Sequence, residues 1–534
     1  MKKSLLMYTS AYAASSVLLA LTFMTTVPVF AGSTVTILHT NDFHSRVEPI
    51  SKYDSPCSIE DNIAGKCFGG YARLVTAVAD ARARNPDALL FSGGDQFQGS
   101  LFYTYYKGKV AAEIMNTMQY DGMTVGNHEF DDGPEVLREF IENVNFPVVM
   151  SNADFSKEPS LADKLMKSTI VEKNGQKYGI IGLTPQDTDE LASPGKNIVF
   201  SDPVVAVQGE VDILTKQGIN RIIVLSHSGY RVDSRIAAET TGVDVIVGGH
   251  TNTLLSNTDD RAAGPYPTMV GNTAVVQAYA YGKYVGELFV TFNDAGEIVT
   301  ATGDPIVIDS GVAEQSDIVA RVQELAAPLE QIRNKVVASS ATVIDGNRSV
   351  CRIRECEMGN LIADAMLDRV KNQGVSIAIM NSGGIRSSID EGDITMGEVL
   401  AVLPFQNTLS TFDITGADII AALENGVSQV EEVKGRFPQV AGLKFKWDAA
   451  KPANKGRVLG VMVSVNGEYQ TIDKSKTYSV VTNNYVRGGG DGYKVFASNA
   501  KNAYDFGPNM ESVLADYLSA NAPYTPKLEG RITQ

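Results

Sequence analysis

A chain of 534 residues is longer than one hydrophobic core usually supports, which excludes a single small domain and points to at least two. Its 44% apolar and 20% charged content belongs to a folded globular protein rather than a disordered or fibrous one. A formal charge of −16 excludes nucleic acid polymers and anionic membrane surfaces as long-range partners, so an anionic ligand needs a local reversal of the field by a metal centre or an arginine cluster.

In chain order, Lys2 and Lys3 precede an apolar run that closes on Val29-Phe30-Ala31. Residues 1–31 therefore read as a secretory signal removed on export, with an uncleaved anchor as the competing reading. Losing the two lysines takes the charge from −16 to −18. The four cysteines fall into two local pairs, Cys57/Cys67 and Cys351/Cys356, which in an exported chain predict two small disulfide loops. A four-cysteine zinc site is the rival, and neither spacing has its usual grip. No apolar tail follows Arg531, so no tail-exchanged lipid anchor and no stable membrane anchor are expected.

Residues 34–38 form a β-branched apolar run that ends in His39-Thr40-Asn41-Asp42-Phe43-His44. An extended backbone would put Asp42 and His44 on one face, with His39 out of phase and structural. A helix is predicted over residues 70–84. A strand over 88–91 then leads into Gly93-Gly94-Asp95, and a helix over 110–118 follows. A strand over 122–125 releases Gly126-Asn127-His128-Glu129-Phe130-Asp131. Strands over 146–150 and 178–183 precede two runs of one design, residues 221–227 ending in His227 and 244–250 ending in His250. Such alternation of Val/Ile strands with helices predicts α/β layers with parallel strands.

All five histidines lie in the first 250 residues, and four of them stand at the polar end of an apolar strand. Packing does not explain four such histidines with Asp42, Asp95 and Asn127 on the same edge. Carboxylate, imidazole and carboxamide without thiolate suit divalent ions such as Zn, Mn or Co. The set is too large for one tetrahedral ion, so two ions sharing Asp95 are expected.

Residues 311–339 read as one long helix, kinked at Pro328 and linking two domains. Beyond it there is no histidine. Instead Cys351-Arg352-Ile353-Arg354-Glu355-Cys356 offers arginines in a small loop. A helix over 358–370 and a strand over 375–380 lead to Asn381-Ser382-Gly383-Gly384-Ile385-Arg386. Phe405 follows, and Tyr485 to Gly492 combine an aromatic, glycines and Asp491. Arginines suit an anion, aromatics a flat base, and an aspartate ribose hydroxyls.

In order, Asp42-x-His44, Gly94-Asp95, Gly126-Asn127-His128-Glu129, His227 and Gly249-His250 resemble the motif series of the calcineurin-like metallophosphoesterases. Met358-Gly359-Asn360-Leu361, Asn381 to Arg386 and Gly489-Gly490-Asp491-Gly492 resemble the C-terminal substrate domain of the 5′-nucleotidase family, closest in motifs to its animal ecto-enzyme branch. The resemblance implies an αββα-sandwich catalytic domain over residues 32–312, a linker helix over 313–340 and a smaller α/β substrate domain over 341–534. It implies that Asp42, His44 and Asp95 hold one metal, and Asp95, Asn127, His227 and His250 the other. His128 and Asp131 would form the catalytic dyad. Phe405 and Tyr485 would sandwich the base and Asp491 bind ribose, while Arg352, Asn381 and Arg386 grip the sugar–phosphate side. Where many members carry Gly-His-x-His, this chain has His250-Thr251-Asn252, leaving Asn252 as a weak ligand or a substrate contact.

The expected reaction is metal-assisted hydrolysis of nucleoside 5′-monophosphates, AMP favoured, in the periplasm or outside the cell, with closure of the interdomain cleft. Hydrolysis of nucleotide sugars, nucleoside di- or triphosphates or 2′,3′-cyclic nucleotides is the alternative within the enzyme class. An exported nucleotide-binding protein is the alternative outside it.

Overall fold

The computed structural model describes residue 1 and residues 32–534 other than 53, 55, 406, 466 and 506. The expected signal segment lies outside the described residues. Among these no helix is long and apolar enough to cross a membrane.

The first half is built on two six-stranded sheets. In the first, Ser33–Thr40, Leu89–Ser92, Gly122–Thr124 and Val148–Val149 run parallel, and Tyr284–Phe292 and Ile298–Val307 extend the edge antiparallel. In the second, Gln176–Leu183, Ile222–Ser226, Val245–Val247 and Thr273–Val276 are parallel, flanked by antiparallel Ser168–Lys173 and Thr268–Val270. The sheets are therefore mixed: in the first the parallel strands run out to the edge strand Val148–Val149, and in the second they are central.

Each central strand is apolar on both faces because both are covered. Ile37, Leu89 and Phe91 meet Ile180, Ile223 and Val245 between the sheets. Helices Tyr71–Arg84 and Lys109–Met118 cover the outer face of the first sheet, Pro203–Lys216 and Tyr230–Glu239 that of the second. The result is the αββα sandwich.

The long helix predicted over residues 311–339 is shorter and broken. Ser316–Ala326 is helical, a tight turn at Ala327–Leu329 accommodates Pro328, and Glu330–Arg333 ends the run. Val336–Ser340 is a strand paired antiparallel with Gly392–Thr395. Pro328 lacks the N–H a helix interior needs, and the β-branched Val336 and Val337 favour the ladder.

In the second half a five-stranded sheet runs in the order Pro438–Ala441, Ile377–Asn381, Thr477–Asn483, Leu409–Thr415, Lys501–Tyr504. The period of two sorts Ile377 and Ile379 toward the helix Gly416–Gly426, and Ala378 and Met380 toward the helix Glu357–Val370. Among the described residues no ladder joins a strand of one half to a strand of the other. Both predicted disulfides, Cys57–Cys67 and Cys351–Cys356, are present.

Candidate active site at the domain cleft

Five parallel strands, Ser33–Thr40, Leu89–Ser92 and Gly122–Thr124 of the first sheet and Ile222–Ser226 and Val245–Val247 of the second, place their polar ends together. The backbone there is not extended: Asp42, His44, Asp95 and His250 all have φ between 50° and 68°. Asp42 and His44 thus meet through left-handed turns, not through the two-residue repeat of a strand. Such conformations cost about 1–3 kcal/mol each and persist where the surroundings over-determine them. Gly126 is required here, since a Cβ on it would stand 2.2 Å from Asp95 Oδ1.

Glu129 is the clamp that holds these turns. Buried, it accepts hydrogen bonds from the backbone N–H groups of Gly126, Asp95, Gln96 and Phe97 at 2.6–3.2 Å. Burial, then the charge of Asp95, pushes its pKa up to about 7. Glu129→Ala strands four donors, so a loss of about 3 kcal/mol or more in unfolding free energy is expected by denaturant titration. Glu129→Gln, which keeps the acceptor oxygen for only part of the set, should lose less.

The ring nitrogens are oriented for cation binding. His44 Nδ1–H donates to Phe97 O at 2.9 Å and His227 Nδ1–H to Gly93 O at 2.6 Å, which leaves both Nε2 lone pairs facing inward. His227 Nε2 lies 2.9 Å from Asp95 Oδ2 and 3.9 Å from Asp42 Oδ1, yet it is buried without a hydrogen-bond partner. Burial lowers its pKa, but the Asp95 and Asp42 carboxylates outweigh burial and lift it to about 9. With the ring neutral and its proton on Nδ1, Nε2 and the Asp95 oxygen are two acceptors in contact, and the raised pKa expresses the same demand for a positive charge between them, a proton or a cation. His44, Asp95 and His128 offer ligand atoms within 4.8 Å of one another, as do Asp95, His227 and His250. Asp95 is common to both groups. Asn127 Oδ1 lies 2.9 Å from His250 Nδ1, and Asp42 accepts from the backbone N–H of His250 at 3.0 Å. The donor set fits divalent ions.

His128 Nδ1 is 2.7 Å from Asp131 Oδ2, and its Nε2 is 4.0 Å from Asp95 Oδ2. The imidazole is therefore fixed by a carboxylate on one side and faces the cluster with the other. His39 is buried and bonded to the Tyr266 hydroxyl at 2.8 Å, away from the cluster, as a structural histidine.

The second half closes over this edge. A cleft of about 140 Å³ is lined by His44, Asp95, Asn127 and His128 from one side, and by Arg352, Asn381, Arg386, Phe405, Tyr485 and Asp491 from the other. Arg386 Nη2 stands 3.1 Å from His44 Nε2, and Lys434 Nζ 3.3 Å from His250 Nε2. Cationic groups thus already approach the inward-facing ring nitrogens, a further mark of a site built around positive charge.

Within the Cys351–Cys356 loop, Arg352 turns into the cleft and Arg354 out to solvent. Asp491 accepts from Asn381 Nδ2 at 2.7 Å, and its backbone N–H donates to the Tyr485 hydroxyl at 3.1 Å. Burial raises the Asp491 pKa against the lowering effect of Asn381. Phe405 lies over the His128 ring at 5.5 Å and 24° and carries the Arg386 guanidinium 5.5 Å from its centroid. Asn252 is not among the cleft-lining residues: its Nδ2 reaches the Tyr281 hydroxyl at 3.4 Å and its Oδ1 is buried without a partner. Glu129, Arg348 and Lys434 are the participants that sequence reasoning left without a role.

Residues 35–253 match the family described as calcineurin-like phosphoesterase, and residues 336–498 match the 5′-nucleotidase C-terminal domain. A 5′-nucleotidase of Diplobatis ommata is 38% identical over 93% of this chain and 89% of its own length. The chain belongs to the 5′-nucleotidase family. Among family relatives, a snake venom 5′-nucleotidase of Crotalus adamanteus is 36% identical over 96% of this chain and 91% of its own. The crystal structure of a 5′-nucleotidase precursor from Thermus thermophilus superposes with a TM-score of 0.89 at 40% identity, covering 94% of this chain and 99% of that one. The αββα sandwich with its C-terminal domain is thus the family's two-domain architecture.

Proposed function

We propose that this chain is an exported, dimetal 5′-nucleotidase that hydrolyses nucleoside 5′-monophosphates, AMP favoured, to nucleoside and phosphate. One observation carries the reading. A divalent-ion donor set, a His–Asp pair, arginines and two aromatic rings, contributed by two halves of the chain, line a single cleft. Export is supported by the two disulfides and by relatives that include a venom protein.

Asp42, His44 and Asp95 would hold one ion, and Asp95, Asn127, His227 and His250 the other, with the buried, unpartnered Oδ1 of Asn252 left to assist. When bound, divalent ions supply Lewis acidity that activates water and offsets charge on phosphate oxygens. The chain's own groups do the rest. Asp131 holds the His128 imidazole by Nδ1, so that Nε2–H can be presented to the leaving 5′ oxygen. Arg352 and Arg386 bring fixed positive charge to the phosphate, which sits in an enclosed cleft where such charge counts for more than in water. Tyr485 and Phe405 offer ring faces to the base, and Asp491, held by Asn381, offers its carboxylate to ribose hydroxyls.

The base clamp has a direct test. Stacking is worth about 1–3 kcal/mol per base. Tyr485→Ala is expected to raise the KM for AMP by roughly 5- to 150-fold while leaving glycerol phosphate, which has no ring, nearly unchanged. Equal weakening of both substrates in a phosphate-release assay would make Tyr485 a support of the fold, with the base bound elsewhere.

A further inference from the structure

Phe405 touches more than the place proposed for the base. It follows the helix Met396–Val402 of the second half, yet its ring lies over the His128 imidazole of the first, with centroids 5.5 Å apart and planes 24° apart. Aromatic rings attract one another at that separation. His128 is otherwise held by Asp131 Oδ2, 2.7 Å from its Nδ1, and flanked by the His44 ring at 5.3 Å and 69°.

One hydrogen bond at Nδ1 fixes that atom but leaves the imidazole free to turn about it, because the terminal torsion of histidine is broad. A flat neighbour on the face removes this freedom, since turning would drive the edge of the imidazole into the phenyl ring. Nε2 is the atom that such a turn displaces, and it is the one that faces the cluster, 4.0 Å from Asp95 Oδ2. The contact need not compete with a base. Arg386, 5.5 Å from the Phe405 centroid, also reaches His44 Nε2 at 3.1 Å, so both it and His128 border His44. These neighbours lie toward the metal cluster, which leaves the far side of the ring for a base.

Resting on the assignment of His128 as proton donor in the nucleotidase reading, we infer that Phe405 is a positioning residue for His128. Its ring holds the imidazole by the face and keeps Nε2 aimed at the leaving oxygen, whether or not the substrate carries a base.

The test uses zinc-loaded full-length protein and glycerol phosphate, which has no ring to stack. A residue that served the base alone would be silent on this substrate. Phe405→Ala should keep its metal and lower kcat for glycerol phosphate about 10- to 100-fold with KM little changed, the cost of a misplaced catalytic group. Phe405→Tyr keeps the flat ring and should restore most of the rate, whereas Phe405→Leu, apolar but not flat, should not. In a His128→Ala background, Phe405→Ala should cost nothing further, because both act through one group. A second readout needs no turnover. In protein labelled at histidine, the ring-proton resonances of His128, identified by their loss in His128→Ala, should move downfield in Phe405→Leu as the shielding by the stacked ring is removed. Unchanged turnover of glycerol phosphate, a defect in KM rather than kcat, full recovery by leucine, additive losses in the double variant, metal loss, or an unmoved His128 resonance would each overturn the inference. Wild-type protein as efficient on glycerol phosphate as on AMP would sink the nucleotidase reading, and the Phe405 variants would still decide the positioning role.

Discussion

Asp95→Ala is expected to purify with both metal positions depleted and with AMP hydrolysis reduced by at least about 10³-fold, more than the loss of a single stabilising donor usually costs. The reason is its position. Oδ2 lies 2.9 Å from His227 Nε2, 3.7 Å from His44 Nε2 and 4.0 Å from His128 Nε2, so one oxygen faces both donor groups. Oδ1 meanwhile accepts from the backbone N–H of His128 at 2.9 Å and anchors the loop that carries Asn127. Metal analysis of the folded variant should find close to none. Near-full occupancy at one position would show that Asp95 belongs to a single ion, and the shared-carboxylate arrangement would have to be abandoned.

His128→Ala should behave in the opposite way toward metal and lose turnover by roughly 10²–10⁴, the usual contribution of a positioned acid or base. The geometry makes this a sharp comparison, since His128 also stands within ligand reach of His44 and Asp95. A variant with full metal and slow turnover fits an imidazole that serves the leaving group. A variant that loses metal in step with activity assigns His128 to the ion instead. Asp131→Asn should give a smaller defect in the same direction, because it keeps the ring in place through a neutral acceptor and no longer stabilises the imidazolium.

Much of the site was legible because apolar β-branched runs announce strands, and residues at their polar ends in an open α/β sheet meet at one edge. Asp42, Asp95, His227 and His250 are of that kind. The turns that join them were not legible. A two-residue repeat assumes an extended backbone, while Asp42 and His44 adopt left-handed conformations set by contacts with residues 94–97. Glu129 could be seen in its motif, but three of its four N–H partners exist only once residues 94–97 lie beside it. The helix predicted over 311–339 failed where the register of Val336–Ser340 against Gly392–Thr395 outweighs helical spacing. Arg352 and Arg354 look alike in sequence, and the direction of each is decided by how the Cys351–Cys356 loop meets the cleft. Arg348 carries no local mark at all, because its place at the cleft is made by a hydrogen bond to the carbonyl of His250, 98 residues earlier.

The central claim, a metal-dependent enzyme that recognises both the base and the monophosphate, is tested most directly by phosphate release from a substrate panel. Protein stripped by chelation and reloaded separately with Zn, Mn and Co would be given AMP, ADP, ATP, UDP-glucose, a 2′,3′-cyclic nucleotide and glycerol phosphate. The account predicts no release from the stripped protein, restoration by at least one of the ions, and the highest kcat/KM on AMP with glycerol phosphate far below it. Full activity after chelation, or equal efficiency on AMP and glycerol phosphate, would contradict it.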